Sequence, residues 1–161
     1  RIETATERDV ALILKFIKGL AKYERLEHEV VATEEGLRAT LFDARPGAEV
    51  LIGYGGSEPA GFALFFHNYS TFLGRPGIYI EDIFVLPGWR GRGLGQQLLV
   101  KIAGLAVERG CGRLEWSVLD WNEPAIRFYR RHGARAMDEW TVYRVTGEAL
   151  KELASENSAA K

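Results

Sequence analysis

Apolar and polar positions divide the chain into a helical opening, a strand-rich middle and a mixed C-terminal third. In the opening, Val10, Ile13, Leu14, Ile17 and Leu20 recur at helical spacing and make one apolar face. Thr6 with Asp9 has the spacing of a capping box just ahead of it. Lys22-Tyr23-Glu24-Arg25 breaks the stripe with polar side chains. Thr33, followed by Glu34 and Glu35, predicts the start of a second, shorter helix carrying Leu37 and Leu41, which Pro46-Gly47 ends. Residues 2–5 read as a short first strand.

From Val50 the period shifts to that of strands. Val50-Leu51-Ile52 and Phe62-Ala63-Leu64-Phe65-Phe66 read as two strands joined by a short loop at Gly55-Gly56. Arg75-Pro76-Gly77 turns into a further strand over 78–85, and 98–107 reads as a helix. Residues 113–119, with Leu114, Trp116 and Val118, predict another strand. Asn122-Glu123-Pro124 places a capping residue ahead of a proline in the first helical turn, so a helix is expected from there to about His132, with Gly133 stopping it. Residues 141–145 suggest a last strand and 147–153 a short helix. There is no internal repeat and no linker. The expectation is one domain over 1–153, an α/β (mixed α+β) fold with helices on the faces of one sheet, and a frayed tail over 154–161.

Composition narrows the class. Over 161 residues, 47% hydrophobic and 27% charged, the chain matches an ordinary globular protein. A net charge of -1 argues against nucleic acid and against an anionic membrane surface as partners. Cys111 is the only cysteine, which excludes an intrachain disulfide. No apolar run approaches a membrane span, and the first residues lack the pattern of a signal peptide, so a cytoplasmic location is expected. The chain begins at Arg1 rather than Met, and one or more native residues are expected to precede it. His28, His67 and His132 lack metal-ligand spacing, and no metal is expected.

The chemistry concentrates around the strand at 78–85. The stretch Arg90-Gly91-Arg92-Gly93-Leu94-Gly95-Gln96 joins that strand to the following helix, where backbone N–H groups and the helix dipole can meet an anion. A dinucleotide fingerprint fails, because the glycines alternate and position 96 is Gln. A Walker A loop fails too, because Leu94-Gly95 stands where Lys and Ser or Thr belong. What remains is Arg90-x-x-Gly93-x-Gly95. Glu81 and Asp82 are the second signal: two adjacent carboxylates in an apolar strand, facing opposite sides of the sheet, each costly to bury alone. They suit an amine substrate, since with a pKa near 10.4 only about one amine in a thousand is neutral at pH 7 and a proton must be removed.

The loop resembles the pyrophosphate loop of the GNAT superfamily of N-acetyltransferases. Leu20-Ala21-Lys22-Tyr23-Glu24, Ile80-Glu81-Asp82, Trp121-Asn122-Glu123-Pro124 and Phe128-Tyr129 to Gly133-Ala134 together resemble its spermidine/spermine (diamine) N-acetyltransferase branch. The resemblance implies a mostly antiparallel twisted sheet, splayed between the strands ending at Val85 and beginning at Arg113, with acetyl-CoA as co-substrate in the cleft. It implies cofactor contacts from Ile83, Phe84 and Val85, from Arg90, Gly91, Arg92, Gly93, Leu94, Gly95 and Gln96, and from Asn122, Pro124 and Ala125. It implies Glu81 as the base acting through water and Tyr129 as the acid that protonates the departing thiolate. Tyr23, Glu24, Glu81, Asp82, Glu115, Trp116, Glu139 and Trp140 are the implied amine contacts. The partners it implies are a small-molecule primary amine and a second copy in a homodimer.

One departure bears on the substrate. Between Tyr69 and Gly74, where polyamine acetyltransferases of this branch tend to carry an acidic residue and a Trp, this chain has Ser70 and Phe72. A shorter diamine or a thialysine-like amine therefore fits as well as spermidine. The competing classes are a non-catalytic acyl-CoA-binding module and an acetyltransferase of protein lysines or N-termini.

Overall fold

The computed structural model describes residues 1–156; these divide into two compact units, the first Arg1–Leu119 and the second beginning at Asp120. The first holds a five-stranded sheet in the order β1-β2-β3-β4-β5, made by Ile2–Thr4, Glu49–Gly55, Glu58–Ser70, Arg75–Val85 and Leu114–Trp116. β1 to β4 run antiparallel in sequence, and β5 lies parallel to β4. Helices α1 (Val10–Tyr23) and α2 (Glu34–Leu41) cover one face, and α3 (Leu94–Glu108) packs on β3 and β4 from the other.

Of the predicted apolar stripe of α1, Val10 and Ile13 are buried and Leu14, Ile17 and Leu20 only partly so, while Phe16, outside that stripe, is buried with them. Ile13 and Phe16 are fully buried with Val50, Ile52, Phe62 and Phe84, and the rings of Phe16 and Phe62 stack at 5.3 Å. Asp9 caps the preceding turn by accepting the Thr6 N–H at 2.7 Å, and Thr33 caps α2 by accepting from the Gly36 N–H at 3.0 Å. On the α3 side, Leu94, Leu98 and Ile102 are buried. Leu94 settles against Gly53 and Gly61, where an added Cβ would stand 2.7 Å and 3.4 Å from its side chain. At Gly61 the same Cβ would also meet the Phe84 carbonyl oxygen at 2.6 Å, so only glycine lets β3 and β4 approach there.

Two predicted strands are corrected. β5 covers only Leu114–Trp116, because its ladder with β4 ends at the pair Ile80↔Trp116, one residue before β4 becomes irregular. Residues 141–145 form no strand: they lie in the second unit without a ladder partner among the described residues, with Val142 and Tyr143 80% and 91% exposed. Strand-favouring side chains do not make a strand unless an edge receives their N–H and C=O groups.

The second unit contains α4 (Glu123–Arg131) and α5 (Gly147–Ser155). Asn122 caps α4, its side-chain oxygen accepting the Ala125 N–H at 3.4 Å. The predicted helix over 147–153 forms and extends to Ser155; of the expected tail, residues 157–161 lie outside the described residues. No helix among the described residues is long and apolar enough to cross a membrane.

Candidate active site

The regular ladder of β4 is interrupted where the carboxylates sit. Phe65 pairs with Ile80 and Leu64 with Asp82, which leaves Glu81 as an extra residue in a β-bulge. The simple alternation expected for Glu81 and Asp82 is therefore broken. Asp82 shares the face of Phe62 and Phe84, which is the α1 side, while Ile78 and Ile80 fall with Phe65 on the α3 side. Glu81 itself is exposed rather than buried, and Asp82 is half-buried.

That placement explains the electrostatics. The Asp82 carboxyl is pushed up from 3.8 to about 7, first by loss of water around it and then by the charges of Glu81 and Glu24. Glu24, just past the end of α1, is raised as well, by burial. Glu24, Glu81 and Asp82, far apart or merely adjacent in sequence, thus form one interacting group. Beyond Ile80 the β5 side of β4 has no ladder partner among the described residues.

The same strand leads into the glycine-rich turn. A 3₁₀ turn at Pro87–Trp89 redirects the chain, and Gly91 and Gly93 take φ of 78° and 81°, left-handed values that side chains rarely adopt. Gly93 is the N-cap of α3, which starts at Leu94, four residues earlier than the apolar pattern alone suggested. No side chain caps this helix and its first turn holds no acidic residue, so the leading amides of Leu94, Gly95 and Gln96 keep the positive end of the helix unneutralised. Nothing lies within 4 Å of where a Cβ would stand on Gly91 or Gly93.

The two arginines of the turn lie against aromatic rings. Arg92 sits 4.7 Å from the Trp89 ring centroid, and Arg90 4.8 Å from that of Tyr23 while its Nε donates to the Val85 carbonyl at 3.0 Å.

A profile of the acetyltransferase (GNAT) family matches residues 17–134, which runs from α1 through this strand and turn to the end of α4. The chain belongs to that family. It is an N-acetyltransferase of the GNAT type, a family that in general uses acetyl-CoA. It is 42% identical to the thialysine N-epsilon-acetyltransferase of Sus scrofa, over 95% of this chain and 96% of that one. It is 38% identical to an L-ornithine N5-acetyltransferase of Arabidopsis thaliana, over 95% and 87% respectively. Among solved structures, an integron cassette protein from the V. cholerae mobile metagenome superposes with a TM-score of 0.81 at 27% identity, covering 97% of this chain and 98% of that one. An aminoglycoside acetyltransferase from soil shares the fold, with a TM-score of 0.75 at 18% identity, covering 91% and 95%.

The remaining residues singled out in the sequence fall into two groups. In the first unit, Glu115 is already engaged: Arg113 Nε lies 3.0 Å from its carboxylate and Asn68 donates to it at 3.1 Å. Trp116 stands opposite Ile80 at the last pair of the β4–β5 ladder. Ser70 is buried and its hydroxyl accepts the Leu73 N–H at 3.2 Å, closing the β3–β4 turn, while Phe72 is fully exposed at the tip of that turn. In the second unit, Tyr129 lies on α4 with its ring edge-on to Phe128 at 5.5 Å. Pro124 and Ala125 form the first turn of α4, and Glu139 and Trp140 are exposed beyond it. Sequence reasoning missed the bulge at Glu81 and the Arg90–Tyr23 contact; a break in the hydrophobic alternation between Ile80 and Phe84 was the available signal for the first.

Proposed function

We propose that this enzyme moves the acetyl group of acetyl-CoA directly to a primary amine of a small molecule, a diamine, polyamine or thialysine-like amine, beside the β4 bulge. The observation that carries this reading is the gathering of Glu24, just past the end of α1, with Glu81 and Asp82 of β4, immediately before a glycine turn that ends in an uncapped helix. Relatives named for thialysine and ornithine support an acceptor of that size.

Each part has a physical task in this reading. Acetyl-CoA supplies the thioester. The backbone N–H groups of the turn from Gly91 to Gln96 hold its pyrophosphate, with Arg90 and Arg92 adding positive charge, and the backbone of Ile83, Phe84 and Val85 binds its amides. Asn122, Pro124 and Ala125 add contacts from the start of α4. Glu24 and Asp82 attract the ammonium form of the amine, Tyr23, Glu115 and Trp116 are further amine contacts, and the family resemblance adds Glu139 and Trp140. The proton that must leave passes through water to Glu81 and Asp82. Asp82, held near 7, has the proton affinity that suits a base at neutral pH, and Glu81, exposed on the bulge, meets the water. Tyr129 donates its hydroxyl proton to the departing thiolate. Cys111, just past α3, is set apart from this group in the chain, and no acyl-carrying nucleophile enters the scheme. A homodimer working in the cytoplasm completes the proposal.

The test is release of free thiol from acetyl-CoA with diamines, polyamines, thialysine, ornithine, aminoglycosides and peptides offered in turn. Turnover with small primary amines is expected. Tight acetyl-CoA binding with no thiol release across the panel refutes the reading, and turnover with peptides alone redirects it to protein acetylation. Tyr129→Phe should lower kcat by about tenfold or more at unchanged acetyl-CoA affinity; an unchanged kcat removes Tyr129 from the acid role.

A further inference from the structure

Arg90 opens the glycine turn, yet its side chain is folded back across the sheet. Its Nε donates to the Val85 carbonyl at 3.0 Å, and its guanidinium carbon lies 4.8 Å from the Tyr23 ring centroid and 5.6 Å from that of Phe84. Two rings and a carbonyl therefore hold it, one ring from α1 and the rest from β4.

Tyr23 is the last residue of α1, and the chain leaves it through an unusual turn. The Leu26 N–H donates to the Ala21 carbonyl at 2.8 Å and the Arg25 N–H to the Lys22 carbonyl at 3.2 Å, the pair of bonds that defines a Schellman motif. That motif needs a left-handed residue, normally glycine, and here Arg25 takes φ 63°. Arg25 is the one non-glycine residue with positive φ among those described. Strain of this kind persists where surrounding contacts over-determine the backbone. The residue between the stacked ring and the strained position is Glu24.

We infer that Arg90 is a positioning residue for the amine site: by clamping Tyr23 to the end of β4, it fixes the turn that holds Glu24 beside Asp82. The glycine turn and the amine-facing carboxylates are then joined by one side chain, whatever that side chain also contributes to anion binding. The upward push of the Glu24 charge on the Asp82 carboxyl agrees with this closeness. The inference rests on the proposed amine site and adds a residue to it.

The experiment compares wild type, Arg90→Gln, Arg90→Lys, Tyr23→Leu and Tyr23→Phe, with the amine varied at saturating acetyl-CoA. Arg90→Gln and Tyr23→Leu should each raise the amine KM at least fivefold. The double variant should do little more than either alone, and Tyr23→Phe, which keeps the ring, should raise the amine KM less than Tyr23→Leu does. Arg90→Lys, which keeps a cation for the ring, should fall between. An amine KM within twofold of wild type in Arg90→Gln, with only the acetyl-CoA KM raised, overturns the inference and confines Arg90 to the turn. A rise in Arg90→Gln that Tyr23→Leu does not reproduce overturns it equally. A wild type silent with every amine sinks the proposed function instead. In that case the clamp is read from urea unfolding of the same variants, where Arg90 and Tyr23 should be coupled by about two- to fivefold in the unfolding constant, and absence of coupling refutes it.

Discussion

Asp82→Asn should make the protein more stable, and the gain should depend on pH. In the unfolded chain an aspartate ionises near 3.8, whereas in the fold Asp82 keeps its proton until about 7 because burial, Glu81 and Glu24 disfavour its charge. Between those values the native state binds more protons than the unfolded one, so this group lowers stability as pH rises. Below about pH 4 both states are protonated and it contributes nothing; above about 7 the full penalty applies. A shift of about three units at 1.36 kcal/mol each sets a ceiling of about 4 kcal/mol, and the residual solvent access of Asp82 brings the expected gain to roughly 2 kcal/mol. Urea unfolding of both proteins every half unit from pH 4 to pH 8.5 measures it. The difference in unfolding free energy should open from pH 4 and level off above pH 7. A difference that is the same at pH 4.5 and pH 8 refutes the reasoning, even if the variant is more stable throughout. The carboxylate would then owe nothing to its neighbours.

Three further outcomes follow from the packing. Gly61→Ala puts a methyl 2.6 Å from the Phe84 carbonyl oxygen, a backbone atom that cannot turn aside, and should cost about 2 kcal/mol in chemical unfolding. Arg25→Gly relieves the left-handed side chain while adding freedom to the unfolded chain, so a net gain of about 0.5 kcal/mol is expected, read as a small rise in Tm. Glu49 is held below its ordinary range by a two-pronged bond from Arg109 at 2.7 and 2.9 Å, which ties the end of α3 to β2. Glu49→Gln should cost about 1 kcal/mol at pH 7, discounted for the partial exposure of both side chains, and that cost should vanish as pH falls from the ordinary glutamate range through the lowered native value.

Much of this enzyme was determined by local sequence. The apolar stripe from Val10 to Leu20, the caps at Thr33 and Asn122, and the run from Ile78 to Val85 each specify an element through contacts a few residues apart, which is why they could be read in order along the chain. The turn from Arg90 to Gln96 was equally legible, because alternating glycines between a strand and a helix are a local device. What only the tertiary structure decided is pairing. No property of Glu81 or Asp82 announces that Ile80 will pair with Phe65 and Asp82 with Leu64, yet that one-residue slip exposes Glu81 and turns Asp82 towards Glu24. Residues 141–145 carry the side chains of a strand and form none, because β-propensity describes what suits a paired backbone and cannot supply the partner. The carboxylate held near 7 likewise belongs to no single residue: it exists because the fold removes water from Asp82 and brings up two charges, one from the next position and one from the far end of a helix.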